Sequence, residues 1–147
     1  MDDECPECGA SIPPTGTCRD NFDTLQAIEW SFPDGVGETV HYRAVSAYIL
    51  QHPESMGYSQ EAFAALRSAL SDNLHNDVPI SDCRRRMRQK FDGETRVQRQ
   101  PCDPLPRSQT TSWPVTVMDL VLASPDKEEY AEYATQWADS VLEELRL

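Results

Sequence analysis

The sequence predicts a mainly α fold, an antiparallel assembly of five or six helices with an irregular, zinc-knuckle N-terminus. Three observations carry that expectation. Apolar residues recur at three- and four-residue steps through several long stretches. The breaks between those stretches hold proline, glycine or a capping serine. The first seventeen residues contain Cys5, Cys8, Gly9, Pro13, Pro14 and Gly16, which leave no room for a helix or a long strand. At 147 residues the chain has the length of one domain and buries a core without extra staples. Its expected parts are a knuckle loop over 1–17, a helical core over 18–91, a Pro-rich connector over 92–112 and a C-terminal helical segment over 113–147.

The first helix is expected from about Cys18 to Phe32, with Phe22, Leu25, Ile28 and Phe32 on one stripe, and Pro33 to Gly37 form a turn. A second helix runs from about Glu38 to His52, where His41, Val45, Tyr48 and His52 share a face and Pro53 stops it. A third spans about Ser59 to Leu74, capped by Ser59, with Phe63, Leu66, Leu70 and Leu74 inward. A short charged helix follows over about Ser81 to Phe91, with Ser81 as its cap. Trp113 to Leu120 is open to both helix and strand, and the helical reading places Pro114 in the first turn. The last helix starts with Ser124 as cap and Pro125 at its first position, and buries Tyr130, Ala134, Trp137, Val141 and Leu145.

Twenty-five acidic against 13 basic residues give a net charge of −12, which repels nucleic acid across the surface as a whole. The opening Met1-Asp2-Asp3-Glu4 is acidic with no apolar run behind it, unlike a secretory signal. No stretch approaches the ~20 apolar residues of a membrane span. A cytoplasmic location is therefore expected, where five cysteines read first as metal ligands or free thiols.

Cys5-Pro6-Glu7-Cys8-Gly9 is the most informative stretch. Two cysteines three positions apart reach one ion from a single tight turn, and a glycine after the second permits the left-handed backbone that aims amides at the sulfurs. A redox dithiol needs a following helix to lower its thiol pKa, and Pro13 and Pro14 deny it one. Cys18 is the nearest third ligand, and the fourth comes from His41, His52, His75, Cys83 or Cys102. A short turn joins helices one and two, so they lie antiparallel and residue 18 is level with residue 52. His41 lies eleven residues from His52, or ~16 Å at 1.5 Å per residue, too far to share one ion. The expected zinc ligands are thus Cys5, Cys8, Cys18 and His52. Four protein ligands make a structural site, whereas three would leave a position for water and open metal-dependent hydrolysis.

Cys5-Pro-Glu-Cys-Gly-Ala10, then Cys18, Phe22 and Glu29, then Val40-His41 and Leu50-Gln51-His52-Pro53, resemble an uncharacterised prokaryotic family filed as domain of unknown function 5946. Trp113 to Asp119, and Trp137-Ala138 with Val141, are similar to that family's C-terminal pattern, so the resemblance covers most of the chain. It implies a metal-site fold and brings no established activity. In the family pattern a second histidine often follows the first, and here that position is Tyr42.

The same antiparallel pair sets Glu29 near His41, a geometry that serves either general-base chemistry or helix register. Arg84 to Lys90 is the basic cluster of an acidic protein, either a grip for phosphate or nucleic acid or a solvated, internally paired face. Trp30, Trp113, Trp137 and the tyrosines either line a ligand cleft or, as aromatics at helical spacing more often do, fill core; Cys83 is expected to be a partly buried thiol, Cys102 a loop thiol, and His75 a surface residue. No glycine-rich phosphate loop, His-Glu-x-x-His or Gly-x-Ser-x-Gly is present. The reading that results is a non-enzymatic zinc-binding module acting on an unknown protein partner. The alternatives are a zinc hydrolase with an open coordination position and a nucleic-acid or phosphate binder using residues 84–90.

Overall fold

The computed structural model describes residues 3–14, 16–90, 113–123 and 125–145. Helices dominate them, and the only sheet among them is a two-stranded antiparallel ladder, β1 (Asp3–Glu4) with β2 (Ser11–Ile12), which closes the knuckle loop. The cysteine-rich turn was expected to be irregular; the register Asp3 with Ile12 and Glu4 with Ser11 makes it a minimal hairpin. The expected connector over 92–112, with Cys102, lies outside the described residues.

The helices are α1 (Cys18–Ser31), α2 (Glu38–Gln51), α3 (Pro53–Met56), α4 (Gln60–Asn76), α5 (Ile80–Lys90), α6 (Val117–Ala123) and α7 (Lys127–Glu144). Seven are seen among the described residues against the five or six expected; the surplus is the single-turn α3. Pro53 does stop α2, but its fixed φ also suits the first position of a new turn, so it opens α3. Gly57, in the left-handed region at φ 67°, closes that turn. Ser59 caps α4 as expected, its hydroxyl accepting from the Ala62 amide.

Three helix starts differ from the sequence reading. α5 begins at Ile80, because the Pro79 carbonyl accepts from the Asp82 and Cys83 amides, and this leaves Ser81 inside the first turn. α6 begins at Val117, with Pro114 in the bend before it; Asp119 accepts from the Thr116 amide at 2.7 Å and fixes the start. α7 begins at Lys127, two residues past Pro125. There Asp126 and Glu129 form a reciprocal capping box, which satisfies two otherwise orphaned amides.

α2 is the central helix and packs against α4, α5 and, most extensively, α7. Its second half is buried on every side, from Ser46 through Gln51, where the sequence suggested a single stripe. Burial of Gln51 is possible because its amide is fully used: Nε2 donates to the Val115 carbonyl at 2.7 Å and Oε1 accepts from Trp137 Nε1 at 3.2 Å. The α7 stripe Tyr130, Ala134, Trp137, Val141 and Leu145 is buried throughout, as its spacing predicts. Trp30 departs from the core role expected of it. It is 82% exposed, one of two large apolar side chains so placed among the described residues.

Candidate metal centre

The β1–β2 hairpin carries Cys5 and Cys8 at its tip. The Cys5 amide donates to the Ala10 carbonyl at 2.7 Å, and the Gly9 amide donates back to the Cys5 carbonyl at 2.8 Å. This tight fold needs a left-handed residue at position 9, where Gly9 has φ 84°. The turn brings both sulfurs to one side and buries them, with Cys8 only 1% exposed. Cys18 sits at the first position of α1 and faces the same point, and its Sγ lies 3.6 Å from Cys8 Sγ. Asn21, one turn on, ties α1 to the hairpin by donating to the Ser11 carbonyl at 2.8 Å.

His52 closes the group from the end of α2. It is completely buried, and its Nε2 lies 3.5 Å from Cys5 Sγ. Its Nδ1 is 2.7 Å from the Tyr48 carbonyl, which only accepts, so Nδ1 carries a hydrogen and Nε2 is the nitrogen turned to the sulfur side. The ring also stacks on Tyr48 at 4.0 Å, and Tyr48 stacks on Phe22 at 4.2 Å, which fixes its plane between α1 and α2. One donor atom from each of Cys5, Cys8, Cys18 and His52 lies within 4.8 Å of all the others. A tetrahedral site with metal–sulfur bonds of ~2.3 Å and a metal–nitrogen bond of ~2.0 Å has donor separations of roughly 3.5–3.8 Å, so the residues fit such an ion. Burial disfavours a charged His52 ring, yet the sulfurs of Cys18 and Cys5 and the Tyr48 carbonyl outweigh it and raise the ring to about 10, so an ion bound at Nε2 displaces a hydrogen from it. Contacts with Cys18, and then with Cys8, hold the Cys5 thiol far below its usual range.

Glu7, between the two cysteines, has a role that the sequence reading missed. Its carboxylate accepts from the Glu54 amide at 2.9 Å, the Ser55 amide at 3.3 Å and the Ser55 hydroxyl, and so caps the start of α3. Its carbonyl accepts from Trp113 Nε1 at 3.0 Å. No spacing rule pairs positions 7 and 54. Tyr48 was placed beside His52 on one stripe of α2, but the hydrogen bond from the His52 ring to its carbonyl was not foreseen.

The other candidates are separate. Glu29 and His41 meet as expected, with Glu29 Oε2 2.7 Å from His41 Nδ1, at the far end of the α1–α2 pair. Tyr130, not foreseen there, donates its hydroxyl to the other Glu29 oxygen. Arg84, Arg85 and Arg86 of the basic helix pair with Glu38, Asp82 and Asp72 at 2.9, 2.8 and 2.6 Å. Cys83 is more deeply buried than expected, at 0% exposure, and its thiol meets the Ala69 carbonyl at 3.5 Å. His75 is half-exposed and lies 3.4 Å from Asp139.

A hairpin knuckle that packs three cysteines and a histidine against a helix pair defines a class of helical proteins with a buried Cys₃His cluster able to hold a metal. Within that class, the chain belongs to the family of unknown function DUF5946, whose family model matches residues 3–146. No curated protein and no solved structure matches it significantly. No helix among the described residues is long and apolar enough to cross a membrane.

Proposed function

We propose that this protein is a zinc-stabilised helical binding module, in which Cys5, Cys8, Cys18 and His52 hold one structural zinc ion. The observation that carries the reading is the convergence of four buried donors within 4.8 Å, with His52 Nε2 already turned to the sulfur side. Three thiolates and one imidazole suit zinc and are wrong for hard, oxygen-seeking cations. Four protein donors complete a tetrahedron, which leaves no position for an attacking water and makes the ion a staple. The ion joins the hairpin and the start of α1 to the end of α2, so it organises a surface more readily than it activates a substrate. Internal pairing of Arg84, Arg85 and Arg86 supports a partner other than a phosphate backbone.

Metal content and coordination test the reading, by elemental analysis and X-ray absorption on untagged protein and on His52→Ala. One zinc per chain in a shell of three sulfurs and one nitrogen is expected, and its loss or marked weakening in the variant. Full zinc retention in His52→Ala would sink the ligand assignment. A shell containing water would replace the staple with an open, hydrolytic centre. Absence of metal, with reactive Cys5 and Cys8, would remove zinc altogether.

A further inference from the structure

At the end of the α1–α2 pair remote from the sulfurs, a cleft of about 450 Å³ opens between the last turn of α1 and the first of α2. Glu29 and His41 line it, with Trp30, Phe32 and Val36 as apolar wall and the Arg84–Glu38 pair at its edge. Glu29 is only 6% exposed, and both its oxygens are engaged, one by Tyr130 and one by His41. Burial, and next the neighbouring Glu29, raise the Tyr130 hydroxyl, which keeps it a donor. A carboxylate accepts, so His41 Nδ1 carries a hydrogen and Nε2 is the ring nitrogen turned away from Glu29. The His41 side chain is 42% exposed, and among the described residues its Nε2 has no partner.

Helix register alone does not account for this arrangement. A pair that only locked two helices would not need its histidine ring 42% open to a cleft. The Trp30 indole, 82% exposed, stands at the same opening and lines it together with Phe32 and Val36. A half-open histidine backed by a buried carboxylate, in a cleft with apolar walls, is the arrangement of a proton-accepting ligand site.

We propose that this cleft binds a small phenol, whose hydroxyl hydrogen passes to His41 Nε2 while its ring packs on Trp30 and Phe32. The ligand's O–H bond breaks and its electron pair stays on oxygen. The new N–H bond leaves an imidazolium between the ligand oxyanion and the Glu29 carboxylate, with Arg84 as a second cation at the cleft. This goes beyond the zinc reading and is independent of it, since the cleft lies some eleven residues of α2, or roughly 16 Å, from His52.

The test uses 4-nitrophenol, buffered below its own ionisation, titrated against the metal-loaded full chain. A saturable phenolate absorption band is expected with the natural protein. In parallel, His41 Nε2 should move from the lone-pair to the N–H range in imidazole NMR spectra. His41→Gln keeps a donor for Glu29 but takes no proton, and should abolish the band. Trp30→Ala, at an exposed position that leaves the fold intact, should weaken binding roughly three- to tenfold, the worth of one aromatic pair. No saturable band, a band of equal amplitude in His41→Gln, unchanged affinity in Trp30→Ala or an unmoved Nε2 resonance would each overturn the proposal. The Trp30→Ala and NMR measurements decide it even if His41→Gln does not fold.

Discussion

At one end of the α1–α2 pair, His52 is wholly buried, backed by a main-chain carbonyl and turned toward three sulfurs. At the other end, His41 is half-open, backed by the Glu29 carboxylate and turned toward a cleft. Both rings set Nδ1 on an acceptor and turn Nε2 the other way, so the backing hydrogen bond does not distinguish them. The surroundings do. Sulfurs that close around a nitrogen without access to solvent suit a resident cation, whereas an apolar-walled opening suits a molecule that comes and goes. On the two proposals made above, the same helix pair carries a fixed site and an exchangeable one. The fixed end should govern folding, and the open end should tolerate change.

The strongest way to break that contrast is to remove the ion. Structural zinc contributes roughly 10–16 kcal/mol in zinc-finger peptides, against about 5–15 kcal/mol for the whole stability of a typical domain. Chelation, or Cys18→Ser, should therefore abolish the cooperative thermal transition followed by circular dichroism at 222 nm, and re-addition of zinc should restore it in the natural chain only. A full, sharp transition after chelation would show that helix packing alone holds the molecule, and the two ends would then be energetically alike.

A smaller effect is expected at the open end. Glu29→Gln leaves an acceptor for Tyr130 but sets an amide against the Nδ1 hydrogen of His41, inside a region where Glu29 is 6% exposed. Loss of one charge-assisted hydrogen bond costs about 1.5–3 kcal/mol. Urea unfolding should show a drop of that size with the zinc content unchanged. Zinc loss in this variant would mean that the two ends are mechanically coupled through α2, contrary to their independence.

How far these sites were readable from sequence follows from the range of the interactions that build them. The antiparallel placing of α1 and α2 came from a short turn, and it set Cys18 beside His52 and Glu29 beside His41, because register along two helices is local arithmetic. The α7 stripe was equally plain, since a period of 3.6 is written into Tyr130, Ala134, Trp137 and Val141. The starts of α5, α6 and α7 were misplaced by one to three residues, because several adjacent polar residues and prolines compete to cap and only the folded backbone selects among them. The all-round burial of α2 was hidden because Gln51 and Ser46 look like a solvent face until their tertiary surroundings are known. Trp30 was assigned to core on its size. At ~100° per residue it lies roughly 145° around α1 from the Phe22, Leu25, Ile28 and Phe32 stripe, so the periodicity already pointed it outward.

The finest distinction between the ends concerns Glu7, which ties the knuckle to the protein without touching the ion. Its carboxylate takes the first amides of α3 and the Ser55 hydroxyl, all on the exposed side of the site. N-terminal caps of this kind contribute typically about 1 kcal/mol, and solvent access keeps the value at the lower end of the usual range. Glu7→Ala should thus lower unfolding free energy by roughly 0.5–1.5 kcal/mol. In the proposed zinc site the donors are other residues, so the equilibrium zinc stoichiometry should stay at one. Because the hairpin then loses its anchor on α3, zinc should leave faster when challenged with a chelator. That loss rate, measured by competition with a chromogenic chelator, separates two ways in which the fixed end holds its metal. A faster rate at unchanged stoichiometry means that docking of the knuckle on α3 limits escape. An unchanged rate means that the four donors alone set the lifetime, and the Glu7 contacts then serve only to order α3.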